Sequence, residues 1–270
     1  MRLRNVGVQV LGLALSVSVA ACGGGSPEGS KPAATTAAPA ASAGGSKVDP
    51  ATAGDIKGVI TLTGTPPKNE PIRMNADPIC IKQTASAGAQ AQETFMVNGD
   101  KLANVFVYVK DGLGSYSYDP PSGNVTLDQH GCRYTPHVFG VRVGQQIEIV
   151  NSDPTLHNIH AMPKANPEFN NGQPIQGMKM NHAFKAKEVM VPFKCDVHGW
   201  MNAYVGVLDH PYFAVTKADG SFEIKNLPPG TYTIEAWHEK LGATTQSVTV
   251  GAKESKDVNF TLDAAKAAAD

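Results

Sequence analysis

Net charge is what this sequence lacks most clearly: 23 lysines and arginines stand against 24 aspartates and glutamates, which leaves a formal charge of −1. That balance leaves no electrostatic footprint for a polyanion, so nucleic acid is not an expected partner. Long apolar runs are missing past the first 22 residues, so no later segment can span a bilayer. No stretch combines a helical period with caps, apart from the weak C-terminal DAAKAAAD. Cysteine is scarce: besides Cys22 there are only Cys80, Cys132 and Cys195, an odd number.

What is present begins with MRLRNVGVQVLGLALSVSVAAC, two arginines followed by a short apolar run and small residues. This pattern reads as a signal peptide over residues 1–22 and not as a membrane span. Its ending, Val19-Ala20-Ala21-Cys22, resembles the bacterial lipobox, in which the cysteine thiol is acylated and becomes the first mature residue. The resemblance implies a lipid anchor at Cys22 with several acyl chains, enough for stable tethering to a membrane. An extracytoplasmic, membrane-anchored lipoprotein is therefore expected, and Gly23 leans slightly toward an outer membrane. Residues 23–55, rich in Gly, Ser, Pro and Ala, lack the apolar content for a core and read as a disordered linker.

The compartment makes the odd cysteine count informative, because exported thiols normally pair. One of the three must be left over. Cys80 lies in the turn-rich NADPIC and Cys132 in QHGCRY, which leads into a strand. These two are the disulfide candidates, and the sequence leaves the pairing open. Cys195 opens CDVHGWM, where His198 and Met201 follow at C-x2-H-x2-M spacing, so it has neighbours that can keep it a thiolate.

The folded region reads as all-β. Alternation runs through GVITLTG, ANVFVYV, VRVGQQIEIVN and SFEIKNLPPGTYTIEAW, where Phe222 and Ile224, then Tyr232 and Ile234, share a face. Turn chemistry separates these runs at Asp219-Gly220, at Pro228-Pro229-Gly230 and at Val143-Gly144. Short strands with frequent turns predict a sandwich or barrel.

Two blocks carry family character. From VTLDQHGCRYTPHVFGVRVGQQIEIVNSDPTLHN to VPFKCDVHGWMNAYVGVLD, within residues 115–209, the chain resembles the cupredoxins of the plastocyanin and amicyanin type, a Greek-key β-sandwich or barrel. The resemblance implies one type 1 copper ion held by His157, Cys195 and His198, with Met201 as the weak axial ligand. It also implies that the Asn158 side chain bonds the backbone just beyond the cysteine, at Asp196, and so orients the ligand loop. His160, three residues after His157, competes for the same role; the HN pair favours His157. Gly199 stands where relatives often have proline, which frees the backbone next to His198. Trp200 reads either as a flank of the His198 edge or as packing. His130, His137, His182, His210 and His238 read as structural or surface residues. Met162, Met178, Met180 and Met190 read as fillers, although Met178-Lys179-Met180 keeps a weak copper-trafficking reading alive.

The second block, HPYFAVTKADGSFEIKNLPPGTYTIEAWHEKLGATTQSVTV with VNFTL, resembles the carboxypeptidase-regulatory, transthyretin-like β-sandwich. Its opening strands occur upstream, in IKGVITLTGTPP and ANVFVYV, which implies insertion: a transthyretin-like (prealbumin-like) domain of residues 56–114 and 210–263 around the cupredoxin, then a tail at 264–270. The alternative is that the first strands extend the cupredoxin and the C-terminal module stands alone.

The expected function is transfer of single electrons between extracytoplasmic redox partners, without enzymatic turnover. A multicopper oxidase would need repeated H-x-H pairs, and none is present. A hydrolase built on Cys195 and His198 has no identifiable oxyanion hole, and methionine is a poor fourth ligand for structural zinc. The serious alternative is a copper-binding, storage, delivery or sensing lipoprotein that uses the outer module to hold a partner.

Overall fold

The computed structural model describes residues 45–74 and 77–268. The expected signal peptide, Cys22 and residues 23–44 of the expected linker lie outside the described residues. Within them, no helix is long and apolar enough to cross a membrane.

Strands dominate because apolar residues alternate along the chain. In Ile147–Asn151 the side chains of Ile147, Ile149 and Asn151 are buried, while Glu148 and Val150 are only partly covered. In Gly230–His238 the same alternation buries Tyr232, Ile234 and Ala236.

The strands form two sandwiches. The inner one has a four-stranded sheet in the order Lys179–His182, Ile147–Asn151, Val125–Gln129 and Tyr134–Thr135. Facing it is a five-stranded sheet in the order Phe169–Gln173, His157–Ala161, Glu188–Lys194, Asn202–Leu208 and Val138–Arg142. Leu127, Ile149, Ile159, Phe193 and Val205 are among the residues that close the core. The outer sandwich draws strands from both sides of the inner one. One sheet orders Phe213–Val215, Phe106–Asp111, Gly230–His238 and Gly242–Val250; the other is built on Gly54–Thr63, which pairs with Ser221–Leu227, Lys101–Leu102, Ser255–Asp257 and Phe260–Asp263.

The sandwiches meet through a third apolar cluster of Phe106, Tyr108, Val138 and Leu208. Gly140 and Gly206 sit opposite one another on adjacent parallel strands. A Cβ on Gly206 would lie 2.2 Å from Phe106, and one on Gly140 would lie 2.3 Å from Phe213. The paired glycines are thus the notch that admits both rings.

Four expectations need correction. Residues 45–55, expected as the end of a disordered linker, hold the strand Ser46–Lys47, which pairs with Tyr116–Ser117, and the start of the strand Gly54–Thr63. Residues 56–114 do not act as one block of the outer sandwich: Ile72, Met74 and Cys80 pack in the inner core, because the Cys80–Cys132 disulfide and the apolar side chains around it draw that stretch across. The turn-rich NADPIC leads into a short helix, Pro78–Thr84, whose N-cap is Asp77. The expected tail, 264–270, begins with the 3-10 helix Ala264–Ala268, and Ala264 joins the outer core.

Candidate metal centre

Two loops at one end of the inner sandwich build the centre. At the end of the 147–151 strand, the buried Asn151 amide donates to the carbonyls of Thr155 at 2.8 Å and Gln173 at 2.7 Å, and its Oδ1 accepts from the Asp153 amide at 3.0 Å. These bonds fold the turn that delivers His157 as the first residue of the next strand. After the 188–194 strand, the Cys195 amide donates to the Met201 carbonyl at 3.2 Å and the Met201 amide to the His198 carbonyl at 2.8 Å. CDVHGWM therefore closes on itself before the chain re-enters the sheet at Asn202.

The loops bring together the predicted donors. One donor atom each from His157, Cys195 and His198 lie within 4.8 Å of one another, and all three residues are buried. Met201 is buried in the same apolar core as Cys195. The Nδ1 atoms of His157 and His198 are 2.9 Å apart, and His198 Nδ1 is 3.8 Å from Cys195 Sγ. The far side of each ring meets a carboxylate: His157 Nε2 lies 2.9 Å from Asp153 Oδ2, and His198 Nε2 lies 3.0 Å from Asp77 Oδ2. A carboxylate accepts only, so each Nε2 is placed to donate outward and each Nδ1 faces the other ring.

Asp153 is fully buried and also accepts from the amides of Gly131 at 2.8 Å and Cys132 at 2.7 Å. Both of those residues have positive φ, 62° and 54°, which aims successive N–H groups at one anion. Burial raises its pKa, and the bonds from His157, Cys132 and Gly131 outweigh burial and lower it. The Cys195 thiol follows the same logic: burial pushes it up, and hydrogen bonds with His157 and His198 together with backbone contacts bring it down to about 6. His157 moves the other way, since burial lowers its pKa while bonds to Asp153 and Cys195 raise it.

The remaining expected residues fall around this core. Asn158 Oδ1 accepts from the Asp196 amide at 2.7 Å and lies 3.2 Å from Cys195 Sγ. His160 stands apart, its Nδ1 2.9 Å from Asp196 and its Nε2 2.7 Å from Glu168. Gly199 has open space around it and no positive φ; His198 is held instead by Asp77 and by Trp200, whose ring centroid is 5.0 Å away. Cys80 and Cys132 are bonded to each other, so Cys195 is the free thiol among the described residues. Two further gatherings, of Asp77, Cys80 and His198 and of Cys132, Asp153 and His157, each contain a sulfur already spent in that disulfide. His137 is neither isolated nor exposed: it pairs with Glu239 at 2.5 Å between the sandwiches. Asp77 and Asp153 are the residues that the sequence reading passed over, although both stood in stretches singled out for other reasons, and each directly precedes a proline.

The donor set is one thiolate, two imidazoles and a thioether, buried away from water. That combination fits a soft or borderline cation with redox chemistry, copper above all, and disfavours a hard cation that prefers oxygen. Cys195 is 1% exposed, so no substrate reaches it as a nucleophile.

Comparison with known proteins finds one family-model match and several similar solved structures. Residues 201–263 match the family model of the carboxypeptidase regulatory-like domain. No curated protein matches the chain. Among solved structures, a copper-containing nitrite reductase from Thermus scotoductus SA-01 is similar over 36% of this chain and 24% of its own, at 21% identity and a TM-score of 0.30. A mutant of amicyanin in the Cu(I) form is similar over 33% of this chain and 86% of its own, at 19% identity and a TM-score of 0.29. A purple cupredoxin from Nitrosopumilus maritimus is similar over 31% of this chain and 98% of its own, at 20% identity and a TM-score of 0.27. The chain thus spans about a quarter of the nitrite reductase's length.

Proposed function

We propose that this chain is a type 1 copper protein, tethered to a membrane through Cys22, that passes single electrons between extracytoplasmic redox partners. The observation that carries the reading is the buried meeting of His157, Cys195 and His198 beside Met201, with donor atoms of the first three within 4.8 Å of one another. Copper would supply one-electron chemistry there, held by His157, Cys195 and His198, with Met201 as the weak fourth ligand. The chain's own contribution is preorganisation. Asn158 ties the two ligand loops together through the Asp196 amide, and Asp153 and Asp77 orient the rings. Burial keeps water from the donors, so little has to rearrange when charge changes.

Storage or delivery is the competing use of a copper site. The fraction of His198 left exposed is 2%, and Cys195 and Met201 are each at 1%. Donors so enclosed favour retention of a metal over its hand-over to a partner.

The test is the visible and electron paramagnetic resonance spectrum of the full chain after addition of cupric ion, beside Cys195→Ser. An intense thiolate-to-copper band with narrow hyperfine splitting, lost in the variant, supports the reading. A colourless protein, or an ordinary type 2 signal indifferent to the substitution, overturns it.

A further inference from the structure

The His198 ring is closed off by a residue that arrives from outside the inner sandwich. Asp77 precedes the helix Pro78–Thr84, more than 40 residues before the first strand of the inner sandwich at Val125. The Cys80–Cys132 disulfide staples that helix to the inner core, and Cys80 Sγ lies 3.6 Å from His198 Nε2. Every acceptor position of the Asp77 carboxylate faces a donor. Oδ1 accepts from the Ile79 amide at 2.7 Å and the Cys80 amide at 3.3 Å, which caps the helix. Oδ2 accepts from the Thr155 hydroxyl at 2.8 Å and from His198 Nε2 at 3.0 Å. Thr155 lies two residues before His157, so this one carboxylate joins both ligand loops to the helix.

We propose that Asp77 is a positioning residue for the candidate centre: it fixes the His198 ring with Nδ1 inward, links that ring to the His157 loop through Thr155, and stabilises the more positive oxidation state of the bound metal. The inference rests on the copper reading above. Its electrostatic part follows from counting charges. The Cys195 thiolate and the carboxylates of Asp77 and Asp153 place three negative charges around one ion, so the cluster sums to −1 with a divalent ion and −2 with a monovalent one. In a buried setting the second arrangement is the costlier, because like charges there are poorly screened. Asp153 contributes from behind His157 and Asp77 from behind His198. The hydrogen bond also makes the imidazole a stronger donor to the metal.

The decisive variant is Asp77→Asn in the full chain. Asparagine is as good a helix cap as aspartate, so the helix and its staple are retained while the charge is removed. The expected result is a protein that is still blue, with affinity for cupric over cuprous ion reduced about tenfold. For a one-electron couple that is an upward shift of ~59 mV in reduction potential. Release of copper to a cuprous chelator is expected to quicken by about 10- to 100-fold. Thr155→Val, which leaves the charge and frees the carboxylate, should quicken release with a smaller change in potential. A blue Asp77→Asn protein with the potential and release rate of the wild type overturns the inference and leaves the copper reading standing.

If the wild-type chain is not blue, the copper reading fails by itself, and Asp77 is then tested in the metal-free chain by nitrogen NMR of its histidines. His198 as a single Nε2–H tautomer that is lost in Asp77→Ala supports the positioning role. A His198 that averages between tautomers in the wild type, or that is unchanged by Asp77→Ala, overturns it.

Discussion

The Nδ1 atoms of His157 and His198 face one another at 2.9 Å while each Nε2 is turned to a carboxylate. With both outer protons committed, the two inner nitrogens can share only a proton or a cation. His160 offers no such lone pair, because Asp196 and Glu168 take both sides of its ring. The two histidines should therefore separate in a copper titration. His157→Ala is expected to lose the intense visible band, with copper affinity falling by more than the ~10- to 100-fold that loss of an outer partner costs. His160→Ala is expected to keep the band. Loss of the band in His160→Ala and not in His157→Ala would reverse the assignment.

The glycine notch between the sandwiches carries a stability prediction. Gly206→Val drives a branched side chain into the space of Phe106, whose ring atom already lies 2.2 Å from the position of a Cβ. Overpacking of this kind costs about 1–3 kcal/mol. Phe106→Ala, by emptying the notch, should cost about 3–5 kcal/mol. Urea denaturation checks both, and because the two residues are in contact, their effects should not add in the double variant.

The sequence makes legible those parts of the molecule whose signals are local. Strand alternation places Ile147 and Ile149, or Tyr232 and Ile234, on one face without any knowledge of what that face meets. C-x2-H-x2-M places three donors on one loop, and the histidine of LHN ends the preceding turn. Asp77 and Asp153 were not legible as partners of the histidines, for different reasons. Asp153 acts through the positive-φ turn at Gly131 and Cys132, whose N–H groups point together only in the folded chain. Asp77 reaches His198 across 121 positions of sequence, from a helix of seven residues that is too short to show a helical period. The signal available was the Asp-Pro pair, since the residue before proline is held extended and an aspartate there caps a helix that starts with proline. The packing of Ile72 and Met74 on the inner core was hidden for a related reason, because it depends on which partner Cys80 finds.

That partner choice can be measured. Cys80 and Cys132 are separated by 52 positions, and both are fully buried. Closing a loop of that length restricts the unfolded chain by about 4 kcal/mol. Cys80→Ser with Cys132→Ser is expected to lower unfolding free energy by roughly that amount, read from the urea midpoint of the metal-free chain. An unchanged midpoint would show that the staple adds nothing to stability.

A pH dependence is built in near the junction of the two sandwiches, away from the candidate centre. Burial lowers the pKa of His210 to about 4, with the charge of Asp209 opposing that shift only in part. Its Nδ1 accepts from the Tyr212 amide at 3.2 Å, so protonation there would displace a hydrogen bond. The ordinary histidine value is about 6.5. Above that pH the ring is neutral in both folded and unfolded chains, and it costs nothing. As pH falls from about 6.5 toward 4, the unfolded chain takes up a proton that the folded one refuses, so stability falls by about 1.4 kcal/mol per pH unit from this group. Between pH 7 and pH 5 the loss is about 2 kcal/mol. Other histidines titrate in the same window, so the quantity to measure is the difference from His210→Asn, whose Oδ1 can accept in place of Nδ1. The variant should lose about 2 kcal/mol less than the wild type over that range in urea unfolding. Equal losses would mean that His210 is protonated in the folded chain as readily as in the unfolded one.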